Sequence, residues 1–333
     1  MIFDFRNSDS MLIGNIVITN PFIQAALAGY TDRAMRMLAR KFGCELVFSG
    51  VILDKCTSYK PLFERPNYII KDDEHPIGAQ LLGTEPEQMA TAAKNMVKTG
   101  YDIIDLNFAC PAPKVLRKAR GGALMAEPQK VLEIFKTVRD AVSCPVMMKL
   151  RIGTDDSAQA KENFWYIAEN AVKSGVDGII LHGRTVEQRF KGFANWETIK
   201  QFKEKFPQTT IIGSGDLFDP ADIVDKFKTA GVDGVAVARG AIGKPWIFRQ
   251  IADVIEGKAE IYKPDLKTQG QIILEHFEML KELYDARKCI WYFRKFLSKY
   301  CTSHNTIKKA RREFVAIRDE AHLREIIDRL YGC

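Results

Sequence analysis

Nowhere in its 333 residues does the chain carry an apolar run of the roughly 20 residues that a membrane-spanning helix needs. Its opening residues place no basic segment ahead of a long apolar stretch, so no secretory signal is visible. No two cysteines have C-x-x-C spacing; the seven lie at 44, 56, 110, 144, 289, 301 and 333. That excludes the common zinc and dithiol patterns, and no metal site is expected. An odd, scattered set reads as free thiols in a reducing compartment. These absences together lead to the expectation of a cytoplasmic protein with no membrane attachment. Low-complexity sequence is missing too, so no flexible linker divides the chain. A strong charge imbalance is also absent, since the net charge is only +7. Its distribution is uneven, however. From Lys258 onward sixteen Lys/Arg stand against eleven Asp/Glu, so +5 lies there and +2 in the preceding 257 residues.

What is present is alternation. Eight short apolar runs read as strands: Phe22–Leu27, Glu45–Val51, Pro76–Leu82, Asp102–Ala109, Pro145–Ile152, Gly178–Arg184, Thr210–Asp216 and Gly234–Arg239. Helical spacing fills the gaps, at Ala34–Phe42, Pro86–Val97, Pro128–Val142, Ala160–Val172, Trp196–Phe206 and Pro220–Ala230. Strands separated by helices imply a parallel sheet. A local signature repeats at the helix-to-strand turns: Gly100-Tyr101-Asp102, Gly175-Val176-Asp177 and Gly231-Val232-Asp233. Eight units favour an α/β fold of the (β/α)8 TIM-barrel type over an open, doubly wound sheet, and roughly 250 residues suffice for one. After Gly257 the strand-like runs stop. Residues 1–257 therefore read as the barrel, and 258–333 as a small C-terminal helical domain.

Polar residues interrupt the strands where a barrel should be apolar. Side chains alternate across a strand, so Met147, Lys149 and Arg151 share one face; Ile180, His182 and Arg184 another; Asp105 and Asn107 a third. Gln80 and Arg239 add to the set. All lie toward the C-terminal ends of their strands, where barrel enzymes build their sites. Any one of them could be a buried structural pair; five strands sharing the feature point to a site. The seventh strand ends Gly213-Ser214-Gly215-Asp216 and the eighth Ala238-Arg239-Gly240, followed by Gly243-Lys244-Pro245. Glycine turns with an arginine, ahead of a helix, fit phosphate. A long basic loop, Cys110 to Gly122, follows the fourth strand. A lone cysteine is more often a packed small residue. At this mouth, beside Asn107, the thiol suits a proton donor as well as a nucleophile.

These residues resemble the dihydrouridine synthase family over nearly the whole chain. Ala25-Ala26-Leu27-Ala28-Gly29-Tyr30-Thr31-Asp32 is similar to that family's first-strand motif, with Ala26-Leu27 in place of Pro-Met. Asp105-Leu106-Asn107-Phe108-Ala109-Cys110-Pro111 resembles its active-site loop, with Ala109 in place of Gly. Lys149-Leu150-Arg151, His182-Gly183-Arg184-Thr185 and Ala238-Arg239 through Pro245-Trp246-Ile247-Phe248 complete the set, and Ser214 replaces the Asn of an Asn-Gly-Asp motif. The resemblance implies an oxidoreductase that reduces uridine to 5,6-dihydrouridine in RNA, tRNA first, with FMN as flavin and NADPH (or NADH) as reductant. It assigns Ala26, Leu27, Ala28, Gln80, Lys149, His182, Ser214, Gly215, Asp216, Ala238 and Arg239 to the cofactor, Asn107 and Arg151 to the uracil, and Cys110 to the catalytic acid. Asn107 would offer the uracil edge both a donor and an acceptor.

RNA recognition is expected from the helical part. Arg287–Arg318 holds ten Lys/Arg and one acidic residue, Glu313, with aromatic residues interleaved. Lys295, Lys299, Lys308 and Arg312 are expected to be exposed and to contact RNA. The plain alternative is a bundle helix with an apolar seam at Ile290, Phe293, Leu297 and Tyr300 and a solvated charged face; both can hold together. Two other readings compete. An FMN barrel acting on a free small molecule, of the dihydroorotate dehydrogenase kind, would not need the basic domain. A non-catalytic RNA-binding barrel would not need Cys110, Lys149, His182 and Arg239.

Overall fold

A computed structural model describes residues 10–301, 304 and 306–333. Residues 1–9 of the barrel part and three of the Arg287–Arg318 stretch lie outside the described residues. A hairpin of β1 (Met11–Ile13) and β2 (Ile16–Ile18) comes first. The barrel strands follow: β3 (Phe22–Gln24), β4 (Val47–Phe48), β5 (Ile52–Leu53), β6 (Ile77–Leu82), β7 (Ile103–Asn107), β8 (Val146–Arg151), β9 (Gly178–His182), β10 (Ile211–Ser214) and β11 (Gly234–Val237). They pair in parallel in the order β3-β11-β10-β9-β8-β7-β6-β4, with β5 beside the end of β6. A backbone hydrogen bond from Gln24 N to Leu46 O, 3.1 Å, joins the two ends of that order and closes the ring.

Helices α1 (Arg33–Lys41), α2 (Pro86–Lys98), α3 (Pro113–Leu116), α4 (Pro128–Ala141), α5 (Ala158–Lys173), α6 (Trp196–Lys205), α7 (Pro220–Ala230) and α8 (Ile247–Ile255) accompany the strands. The chain ends in α9 (Leu266–Lys281), α10 (Ala286–Tyr300), α11 (Ile307–Val315) and α12 (Glu320–Tyr331). The expected barrel with a helical C-terminal region is the observed architecture. The strands are shorter than the apolar runs that announced them: Glu45–Val51 yields only Val47–Phe48, and Phe22–Leu27 stops at Gln24. Past Gln24 the backbone leaves the ladder, and Thr31 Oγ1 both accepts from Leu27 N and donates to Leu27 O, at 3.1 Å each.

The alternation along each strand separates two cores. Val146, Met148 and Leu150 point outward to the helices, whereas Met147 points into the barrel with Ile23, Phe48, Ile103, Ile180 and Ile212. Met11, Ile13 and Ile18 of the hairpin pack into this inner core and plug the barrel's N-terminal end. The outer core runs without a break into the C-terminal helices, through Phe277, Phe293, Leu297 and Tyr300.

The repeated Gly-x-Asp signature has a second purpose. Its glycines sit at φ 102°, 76° and 61°, as helix-ending turns require. Its aspartates then each accept the first strand N–H of a neighbouring strand: Asp102 from Ile77, Asp177 from Val146 and Asp233 from Ile211, all at 2.7 Å. These carboxylates pin the strand register at the barrel floor, opposite the polar mouth. Arg36 of α1 and Glu74, which shortly precedes β6, form a fully buried ion pair at 2.6 Å, and Arg36 also donates to Thr31 O at 3.1 Å.

Candidate active site

At the C-terminal strand ends the polar residues enclose a cavity of about 810 Å³. Ala26, Leu27, Ala28, Gln80, Asn107, Cys110, Lys149, Arg151, His182, Ser214, Gly215, Asp216, Ala238 and Arg239 all line it. The strands bring these fourteen residues together from positions more than two hundred apart in sequence.

One wall is a chain of hydrogen bonds that ends at the backbone N–H of Cys110. Gln80 Nε2 donates to Asp105 Oδ2 at 2.6 Å, and Gln80 Oε1 accepts from Asn107 Nδ2 at 2.7 Å. Asn107 Oδ1 accepts from the backbone N–H groups of Ala109 (3.1 Å) and Cys110 (3.0 Å). The Asn107 oxygen, expected to face a ligand as an acceptor, is thus committed to the loop. One N–H of its amide remains for a ligand. Arg151 is buried and donates to Ala109 O (2.8 Å), Thr185 O (2.7 Å) and Arg189 O (2.9 Å), so it ties the Cys110 loop to the loop after β9. The Cys110 loop itself is partly ordered by α3, and Gly122 N donates to Cys110 O at 3.1 Å.

Charge sets the character of the floor. The Lys149 ammonium is shielded from solvent with no hydrogen-bond partner among the described residues. Burial pushes its pKa down to about 8, against the attraction of Asp105. Burial likewise pushes Asp105 up to about 6, against the hydrogen bond from Gln80 and the Lys149 charge. His182 is held neutral, its pKa lowered to about 2 by burial and then by Arg151, Lys149, Arg184 and Arg239. Its Nδ1 is also buried and has no hydrogen-bond partner among the described residues. The buried ammonium calls for a ligand with acceptor atoms, and the ring nitrogen on the same cavity calls for a polar partner.

The opposite end sets a glycine turn beside two arginines. Gly215 takes φ 125°, and a Cβ there would lie 2.5 Å from Ala194 Cβ and 3.0 Å from His182 Nδ1. Only glycine leaves that backbone open. Asp216 is fixed by Arg184 Nη2 at 2.6 Å and by Ala194 N at 2.8 Å. Burial acts upward on its carboxyl, but these bonds and the neighbouring guanidinium charges hold it below the usual range. Arg239 lies 3.8 Å from Asp216, and its guanidinium sits 4.8 Å from the Phe190 ring centroid and 5.3 Å from that of Phe218. Much of Arg239 stays exposed, so its charge is available to an anion.

The helical region also reaches the mouth. Lys299 of α10 lines the cavity. Lys295, expected on the exposed RNA-facing surface, is instead half-buried. It donates to Gly29 O and lies 5.1, 4.2 and 5.0 Å from the ring centroids of Tyr30, Tyr292 and Phe296. Burial lowers its pKa to about 8, against the pull of Asp32. Lys295 is drawn onto the first-strand loop, because its stem packs on rings and its charge finds a carbonyl. Lys308 and Arg312 of α11 are exposed. Phe190 and Phe218 line the cavity without having been singled out, since single phenylalanines in loops carry no periodic signal.

A closed parallel barrel with a polar cavity at its C-terminal mouth, a buried ammonium on one side and an arginine-flanked glycine turn on the other has the build of a barrel enzyme. The family model for dihydrouridine synthases (Dus) matches residues 23–330, and the chain belongs to that family. It is 35% identical over 289 residues to a Rickettsia conorii protein named "Probable tRNA-dihydrouridine synthase", covering 86% of each chain. It is 32% identical over 307 residues to tRNA-dihydrouridine synthase B of Pseudomonas putida, covering 92% of this chain and 90% of that one. Among solved structures, histamine dehydrogenase from Rhizobium sp. 4-9 superposes with a TM-score of 0.57 at 15% identity, over 81% of this chain and 50% of that one. A 2-naphthoyl-CoA reductase does so with a TM-score of 0.55 at 13% identity, over 74% and 52%. This chain spans about half the length of those two proteins, and the likeness to them concerns the fold. Among the described residues no helix is long and apolar enough to cross a membrane.

Proposed function

We infer that this enzyme reduces uridine to 5,6-dihydrouridine in tRNA, with FMN as its resident cofactor and NADPH as the electron source. The reading rests on family membership and on one observation above others: Cys110 is held by a hydrogen-bonded chain on the same cavity as the unpartnered Lys149 ammonium. The overall change balances as uridine, NADPH and a proton giving dihydrouridine and NADP⁺. FMN, when bound, supplies the hydride that uracil takes at C6.

The residues fit that cofactor. Ser214, Gly215, Asp216, Ala238 and Arg239 would take the phosphate end, with Arg239 as charge partner and Asp216 as the group that aims it. Ala26, Leu27 and Ala28 would lie along the ring. Gln80, Lys149 and His182 would meet its polar edge, where the Lys149 ammonium would find an acceptor and the His182 ring nitrogen a polar partner. A cationic Lys149 favours negative charge on the reduced ring. Cys110 would give its proton to uracil C5, completing the addition. The remaining Asn107 N–H would hold the uracil edge, while Arg151 fixes the loop that carries the thiol. A folded RNA hides its bases, so the target uridine must swing out to enter. We assign docking of the folded RNA to exposed basic residues of the helical region, Lys308 and Arg312 among them, with Lys299 at the mouth. Lys295 instead secures the first-strand loop.

The test is a pair of half-reactions on purified protein. Cys110→Ala should leave a yellow protein that NADPH still reduces, while transfer to tRNA falls by roughly 10²- to 10⁴-fold. Wild-type turnover on tRNA by the variant would remove Cys110 from this role.

A further inference from the structure

The loop after β9 presents an exposed sequence, Arg189-Phe190-Lys191-Gly192-Phe193, beside the cavity. Resting on the reading of RNA as substrate, we propose that this loop is a nucleobase-stacking platform, on which Phe193 receives an unpaired base next to the target uridine.

The first argument is exposure. Phe193 is 90% exposed, Phe190 56% and Phe218 48%. Phe190 and Phe218 flank Arg239 and so have an intramolecular use. Phe193 makes no ring or cation contact with the described residues. A fully presented phenylalanine is unfavourable in water and gains most from a flat apolar partner.

The second argument is rigidity. Flexible loops hide or move such rings, but this backbone is pinned from beneath at successive points. Arg151 donates to Arg189 O at 2.9 Å. Arg184 donates to Lys191 O at 3.0 Å and to Gly192 O at 2.6 Å. Ala194 N donates to Asp216 Oδ2 at 2.8 Å. Arg189 is held at φ 50° and Gly192 at φ 63°, both left-handed conformations. Two buried arginines, Arg151 and Arg184, thus support a loop that presents Phe193 to solvent. A preorganised ring loses little entropy on binding.

The third argument is chemistry. Arg189 and Lys191 are exposed on either side of Phe190, and no acidic residue lies between positions 188 and 194. Aromatic faces alternating with cations suit an unpaired nucleotide strand, whose bases stack while its phosphates pair. The place is also right. A uridine entering the cavity must leave its neighbours at the rim, and this loop is at the rim. Stacking does not read base identity, so the platform holds the swung-out strand without choosing the sequence.

The experiment compares Phe193→Ala, Phe193→Leu and Phe193→Trp in the FMN-loaded full-length enzyme. The readouts are tRNA affinity, KM and kcat on tRNA, and NADPH oxidation without RNA. Stacking on one base corresponds to roughly a 5- to 150-fold change in binding. Ala and Leu should therefore weaken tRNA binding and raise KM within that range, Trp should match or exceed wild type, and NADPH oxidation should be unchanged in all. Equal affinity for all three variants would overturn the proposal while leaving the assignment of activity intact. So would Leu behaving like wild type, which would mean a generic apolar contact, or a change only in self-association measured by sedimentation. Failure of the wild-type enzyme to act on tRNA would instead strike the functional reading itself.

Discussion

Burying Lys149 beside Asp105 should cost the cofactor-free protein stability, and that cost can be measured. The displacement of the lysine from 10.5 to about 8 corresponds to about 3 kcal/mol against the charged form. Replacing the lysine alone would strand the buried carboxylate, so the informative perturbation is the double variant Asp105→Asn with Lys149→Met. Asn keeps an acceptor for Gln80, and Met keeps the volume. Without cofactor, the double variant should be more stable than wild type by about 2–3 kcal/mol at neutral pH. The pH dependence has a definite sign. Lys149 titrates lower in the folded state than in the unfolded, so its penalty is complete below pH 8 and fades as pH rises toward 10.5. Asp105 titrates higher when folded, so its penalty is complete above pH 6 and fades as pH falls toward 3.8. The stability gap between variant and wild type should therefore peak between pH 6 and 8 and narrow on both sides. Urea unfolding of flavin-free protein across that range measures it. A double variant no more stable than wild type, or a gap that does not change with pH, would refute the reasoning.

Arg239→Ala should weaken FMN binding by roughly 10- to 100-fold, because a charged hydrogen-bond donor is removed. Riboflavin, lacking the phosphate, should bind the two proteins about equally in a fluorescence titration. Replacing exposed Lys308, Lys309, Arg311 and Arg312 with Glu should lower tRNA affinity and make its salt dependence shallower, by up to about 0.9 in the log–log slope for every phosphate that is no longer neutralised. Flavin content and NADPH oxidation should stay normal, and unchanged RNA affinity would mean that the charged face only keeps the helices soluble. Glu74→Gln should destabilise the fold by about 3–5 kcal/mol, because it leaves the buried Arg36 without its counter-charge. Calorimetry showing no fall in melting temperature would contradict that.

Much of the barrel was legible because strands and helices carry different periods, and a glycine that ends a helix marks several of the turns. The cavity-lining residues were legible for a related reason: polar side chains at alternate positions near strand ends have no place in a barrel core. Less visible were features set by long-range packing. The plug formed by Met11, Ile13 and Ile18 is too short to register as sheet. The aspartates of the Gly-x-Asp turns looked like turn residues, yet they bond to strand N–H groups far along the chain. Asn107 looked free to meet a ligand, and its oxygen is taken by a loop that sequence alone does not fold. Lys295 carried the same charge as its exposed neighbours, and only the packing of α10 on Tyr30 separates it from them.

The most direct test of the central claim combines purified protein, FMN, NADPH and an unmodified tRNA transcript, followed by nucleoside mass spectrometry. Dihydrouridine should appear, with one NADPH consumed for each residue formed, and none should appear when Cys110 is replaced by Ala over the same interval. Steady NADPH oxidation by the flavin-loaded enzyme with no dihydrouridine in any tRNA would contradict the account.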